Sequence, residues 1–322
     1  MQPVVKGDAP KQILRGIVIT ASLFAAALTI PVFGAFAILL IPLPVLFFRL
    51  KLGRRDGAII PAVAFVLWLA MIGEVTADLF IYLEQLVLGF ALGEFLERRL
   101  PLERIIGYAA GAVLLVAGGG LLVYTSATGI GAGKLLTDYM AENLALYREV
   151  YQNLGVPEEN LKALSSAFEY IQYVLVRLMP GLSIAAALFG AWICLLFTRP
   201  LLKMGRLPAP PVIGALNRWK APEPLVWGVI GCGGMMILPD TVLKLVGLNG
   251  LIVLLQIYFF QGIAIVSFYF DKKKMPIALR WVMFSLIALQ IYVLVFVIGL
   301  GFFDMWLDFR KIKQPTETNG VS

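Results

Sequence analysis

The chain has 322 residues, 60% of them hydrophobic and 15% charged, with a mean hydropathy of +0.87 and a formal net charge of +7. An ordinary soluble domain carries about 25% charged residues, so this balance excludes a soluble globular domain and a disordered chain. Histidine is absent, which excludes histidine-ligated metals and histidine-based nucleophile pairs, and Cys194 and Cys232 lie in apolar stretches that indicate no disulfide framework.

Long windows carry no charge, among them 16–48, 57–73, 105–133, 245–270 and 281–303. A helix crosses a bilayer with about 20 predominantly apolar residues. The sequence therefore predicts an all-α, polytopic transmembrane bundle of about 8–10 helices, forming a single membrane domain over 1–322. The first apolar stretch is too long for a signal-peptide core and is retained as membrane structure.

In chain order, most basic residues fall in short segments flanking the apolar runs. These are Lys6 to Arg15, Arg49 to Arg55, Arg98 to Arg104, Arg199 to Lys220, Lys272 to Arg280 and Arg310 to Lys313. That is the positive-inside bias, and it assigns these anchors and both termini to the cytoplasmic side of an inner membrane. No folded basic module is long enough for nucleic acid, so the expected partner of the charge is the lipid surface.

Between the anchors run five excursions. The first, 16–48, turns near Pro31 to Gly34. The second leaves through 57–73, turns at Glu74 to Asp78 and returns to Arg98. The third leaves through 105–126, carries an extracytoplasmic helical insertion at 127–177, and returns through 178–198. Within it, Lys134 to Tyr151 has helical apolar spacing. Gly155-Val156-Pro157 breaks the chain, and a second helix starting near Pro157 enters the membrane before Pro180-Gly181. The fourth excursion covers Leu225 to Phe270 and the fifth 281–308. Two full crossings want about 40 residues, more than the first or fifth excursion holds. Either those hairpins are short or tilted, or the last is one long helix ending outside; Arg310 and Lys311 favour the even count. The proline-rich cytoplasmic loop 199–224 is expected to be extended and stiff, and 314–322 a disordered tail.

Charge inside a membrane is costly, which makes each intramembrane polar group a candidate site. Glu84 and Gln85 lie in Leu79 to Leu96, with Gly89 and Gly93 as a small-xxx-small pair that admits another helix closely. Gln256 and Gln261 share the crossing Leu251 to Phe270. These four are the candidate ligand-binding residues; the alternative is that they hydrogen-bond neighbouring helices for architecture. Asp78 and Glu94 lie nearer helix ends and are expected to be wet. Asp240 and Lys244, four apart, are expected to pair, and Asp304 to cap or pair locally. Gly129 to Lys134 fails as a phosphate loop, because Thr128 stands where its first glycine belongs and Leu135 follows the lysine. No metal-ligand spacing and no nucleophile–base pair is found, so no catalytic residue, metal or cofactor is expected.

Several stretches together carry a resemblance: Pro42-Leu43-Pro44 before the basic turn, Arg218 to Trp227, Phe260-Gln261-Gly262-Ile263-Ala264, Gly299 to Asp304, and Asp308 to Lys311. They resemble the YybS-like family of bacterial integral membrane proteins, a domain of unknown function. That family is distantly similar to the membrane S components of energy-coupling-factor vitamin transporters and to the shape-determining protein MreD. The first likeness implies a small-molecule-binding transporter subunit without its own ATPase. In S components, small residues four apart on the first helix meet the coupling subunit, and Ala21 and Ala25 match that spacing as candidate partner-binding residues. The second likeness implies a non-enzymatic scaffold that organises cell-envelope proteins. The family offers no catalytic residues to carry over.

Overall fold

The computed structural model describes residues 8–30, 33–73, 77–131, 158–214 and 216–311, with single positions between 133 and 152. Among the described residues there are twelve α-helices and no strand. The chain forms two compact units, Met1–Ile213 and Gly214–Ser322.

The first unit holds α1 (Ala9–Thr29), α2 (Phe33–Leu40), α3 (Pro42–Leu52), α4 (Arg54–Ile72), α5 (Ala77–Glu97), α6 (Leu102–Thr128) and α7 (Glu158–Met204), followed by the short α8 (Pro211–Gly214) at the boundary. The second holds a 3-10 turn, Leu216–Arg218, then α9 (Leu225–Ile237), α10 (Thr241–Lys272), α11 (Ile277–Leu289) and α12 (Ile291–Leu307). Six helical stretches are long and apolar enough to cross a membrane: α1, α4, Leu79–Glu97 of α5, α6, Tyr170–Met204 of α7, and α10. The bent pair α11 and α12 makes a seventh if it is one span. The chain is a multipass membrane protein in contact with lipid.

The helices fall within the five excursions read from the charge pattern. They are α1 with α2–α3, α4 with α5, α6 with α7, α9 with α10, and α11 with α12. Two of these excursions are broken. The return of the first is split at Ile41, where Pro42 begins α3. The fifth bends by 101° around Gln290. Arg310, after α12, donates to the carbonyls of Asn217 and Trp219, which precede α9.

The basic anchors of the first unit likewise gather at one end. Lys51 Nζ donates to Gln12 Oε1 at 3.0 Å, joining the start of α1 to the end of α3. Arg54 Nε lies 3.6 Å from Glu94, joining the start of α4 to the end of α5. Gly53 makes the turn between α3 and α4 at φ 87°, a conformation that a side chain resists. Away from that end, Phe24 and Trp68 close on the Tyr82 ring at 5.1 and 4.9 Å, and pack with Ile41, Val45 and Leu86 into one apolar core.

Helix α7 differs from expectation. It runs unbroken for 47 residues, through both Pro180 and Pro200. Each proline removes one backbone donor, a loss that a membrane helix tolerates where packing holds it. The helix continues past Pro180 to Met204, so the irregular part of the 199–224 loop begins only after Met204. Pro157, the turn residues 31–32 and 74–76, and the tail 314–322 lie outside the described residues, as does most of the predicted helix 134–151. Its positions 134, 135, 137, 138, 141, 145 and 149 are helical, and Gln172 on α7 donates to the Thr137 carbonyl at 2.8 Å.

Candidate functional site

Helix α5 carries the polar residues of the first unit, and two of its neighbours decide their surroundings. A side chain on Gly89 would run into the Pro42 carbonyl and, at 2.9 Å, Val45; one on Gly93 would lie 2.5 Å from Arg49 Cγ. Here α3 seats itself on the small-residue pair, as the spacing predicts. Leu88, on another face, packs against Gly190 of α7.

Glu84 sits one helical turn before Leu88, on that same face. It is half-buried, and no hydrogen bond or ion pair reaches it among the described residues. Gln85 follows about 100° round the helix, one turn before Gly89. Its Oε1 is buried and accepts no hydrogen bond among the described residues. Adjacent positions do not face each other, so the two polar groups look in different directions.

Close approach at Gly93 brings Arg49 against the end of α5. Arg49 is 1% exposed, and its Nη2 donates to Glu94 Oε2 and Glu97 Oε2, both at 2.7 Å. Glu94 also receives Arg98 at 3.0 Å and Arg54 at 3.6 Å. The expectation of a wet Glu94 is corrected: three guanidiniums cover it and leave it 16% exposed. Arg49 Nε and Nη1 remain buried without an acceptor among the described residues. Beside this cluster, α4, α5 and α6 enclose a cleft of about 510 Å³ whose walls are apolar except for Glu94.

The second unit has its own buried arginine. Arg310 Nη2 donates to Asp304 Oδ2 at 2.7 Å, and both side chains are 0% exposed. Arg310 Nη1 donates to the carbonyls of Asn217 and Trp219. Asp304 further accepts Gln261 Nε2 at 3.0 Å and the Phe309 amide at 3.0 Å. Gln261 in turn accepts the Ala221 amide through Oε1. Lys220 pairs with Asp308 at 2.6 Å, and Tyr269 donates to the Phe309 carbonyl. Close backbone contact lets these groups meet: a side chain on Gly262 would strike the Val297 carbonyl, and one on Gly301 the Tyr258 carbonyl.

Gln261 is thus engaged in a structural clamp, and Gln256 on the same helix has partners of its own. Glu84 and Gln85 belong to the first unit, Gln256 and Gln261 to the second. Ala21 and Ala25 are half-buried on α1, beside the buried stripe Gly16, Thr20 and Phe24. Asp240 does not bridge to Lys244. Its carboxylate caps α10 by accepting the Leu243 amide at 2.8 Å, a local bond that forms without ordering a long lysine. Asp304 pairs locally, with Arg310. Sequence reasoning missed the burial of Arg49 and Arg310, because a basic residue beside an apolar run reads as an exposed anchor. The available signal was Glu94 and Glu97, three apart beside Gly93.

The family described as "Predicted membrane protein (DUF2232)" matches residues 18–305. The chain is similar to the uncharacterized protein YybS of Bacillus subtilis (strain 168), with 24% identity over 298 residues that cover 88% of this chain and 92% of that protein. No solved structure matches.

Proposed function

The chain belongs to the DUF2232 family of predicted membrane proteins, and from that premise we propose that it is a small-molecule-binding subunit of the bacterial cytoplasmic membrane. The observation that carries this reading is Glu84, a carboxylate within a span with no partner among the described residues. A charged group at that depth costs on the order of 3 kcal/mol near the helix centre, and a ligand with a cationic or hydrogen-bond-donating group offsets that cost. Gln85, with its unused acceptor, supports a polar break in the same span. Glu94, Gln261 and Asp304 are engaged within the chain and leave the ligand role to Glu84. No nucleotide-binding motif occurs in the chain, so uptake driven by ATP would need a separate protein, for which Ala21 and Ala25 remain the proposed contact.

Thermal-shift screening of the purified chain against a small-molecule panel tests this. A compound that raises the melting temperature of wild type but not of Glu84→Gln supports it. A scaffold of the MreD kind is the second reading, favoured by the way Arg49 and Arg310 tie helix ends together inside each unit. No response to any compound, with Glu84→Gln matching wild type in every binding and uptake assay, selects the scaffold.

A further inference from the structure

We propose that the cleft between α4, α5 and α6 is a binding site for one anionic phospholipid, its acyl chain in the cleft and its phosphate on Arg54 and Arg98. The cleft follows α5 from Leu83 to Phe95, about 18 Å at 1.5 Å per residue. One leaflet is half of a hydrocarbon core about 30 Å thick, so the cleft has the depth of a single leaflet. Its walls include Pro61, Phe65, Val87, Phe90 and Ala112, and Ala62 on the wall is exposed, leaving a side for a chain to enter. Within a bilayer, the material that reaches such an opening is lipid.

Charge selects the headgroup. Glu94 is the cleft's one ionisable wall residue, and Arg54 and Arg98 flank it with side chains 71% and 57% exposed. Glu94 and Glu97 supply two negative charges against Arg49, Arg54 and Arg98, which leaves this rim net positive. Both exposed guanidiniums have donors in excess of the single carboxylate they share, in the fork geometry that suits phosphate oxygens. The rim also belongs to the basic end of the unit, which faces the leaflet rich in anionic lipid under the positive-inside assignment. The site does not use Glu84, so it stands or falls apart from the ligand reading above.

Native mass spectrometry of the full chain in detergent, titrated with phosphatidylglycerol or with phosphatidylcholine, tests the proposal. The expected result is one phosphatidylglycerol retained per chain in preference to phosphatidylcholine. Arg54→Gln with Arg98→Gln should weaken phosphatidylglycerol on the order of tenfold or more and leave phosphatidylcholine unchanged. Ala62→Phe, which fills the cleft from its exposed wall, should reduce both lipids while the melting temperature holds. Glu84→Gln should retain the lipid, and so should Arg104→Gln at the same end. Equal retention of the two lipids, loss in Arg104→Gln as large as in the double variant, or unchanged binding in Ala62→Phe overturns it. So does displacement of the lipid by millimolar inorganic phosphate, which would locate binding at the arginines alone, or a co-purified protein or non-lipid molecule occupying the cleft.

Discussion

Each unit buries one arginine at its basic end, and the two are satisfied to different degrees. Arg310 lies among two carbonyls and one carboxylate, and that carboxylate also accepts Gln261 and the Phe309 amide. One of its three guanidinium nitrogens, Nε, lacks an acceptor among the described residues. Arg49 directs a single nitrogen at two carboxylates and leaves two nitrogens without one. One of its carboxylates, Glu94, is shared with two arginines that reach solvent. The difference separates a closed clamp, whose bonds hold loop and helix ends together, from an open cluster that borders a cleft. A buried ion pair is net stabilising only when its remaining hydrogen bonds are met, which the second unit achieves more completely.

That comparison can be broken by substitution. Asp304→Ala strands a fully buried guanidinium and should lower unfolding free energy by about 3–5 kcal/mol, read from a denaturant titration in detergent. The Asp304→Ala/Arg310→Met double variant should recover part of that loss, because no unpaired charge is left behind. Gly89→Ala forces a methyl into the Pro42 carbonyl of α3 and should cost about 1–3 kcal/mol. Gly111→Ala, with open space around it, should stay within about 0.5 kcal/mol of wild type in the same titration. Arg49→Met should cost less than Asp304→Ala, about 1–2 kcal/mol, since Glu94 keeps Arg98 and Arg54 as partners. Equal losses for Arg49→Met and Asp304→Ala would erase the distinction between the two units.

The sequence made the hairpins legible because uncharged runs and basic anchors are properties of single residues in order. It also singled out the short stretches around Lys220, Gln261, Gly301 and Arg310, and these converge in one clamp. Their convergence was not legible, because it depends on which helix faces meet. The same holds for Arg49, whose burial follows from the glycines at 57 and 93 that let its stem lie flat against two helices. Proline misled in the other direction. Pro200 lies in the stretch expected to be extended, yet α7 continues through it to Met204, because in a lipid environment the cheapest remaining partner for the backbone is the helix itself.

A gain in stability, not a loss, tests the other unmatched group, Glu84. Its helix spans Leu79–Glu97, so Glu84 lies four residues from the middle of the span, about 6 Å along the axis. Asp304 is buried too but accepts three hydrogen bonds, from Arg310, Gln261 and the Phe309 amide, and removing it destabilises. Glu84 has no such bonds to lose among the described residues. Replacing it by leucine removes a desolvated carboxylate and adds apolar surface where lipid or α7 can cover it. Glu84→Leu should therefore raise the stability of the ligand-free protein by about 1 kcal/mol, a fraction of the penalty at the helix centre, and Glu84→Gln should change it less. Under the ligand reading, the same Leu variant must lose its response to the compound that stabilises wild type. A Glu84→Leu protein that is less stable than wild type without ligand would mean that the carboxylate has a protein partner after all, and that Glu84 resembles Asp304 rather than contrasting with it.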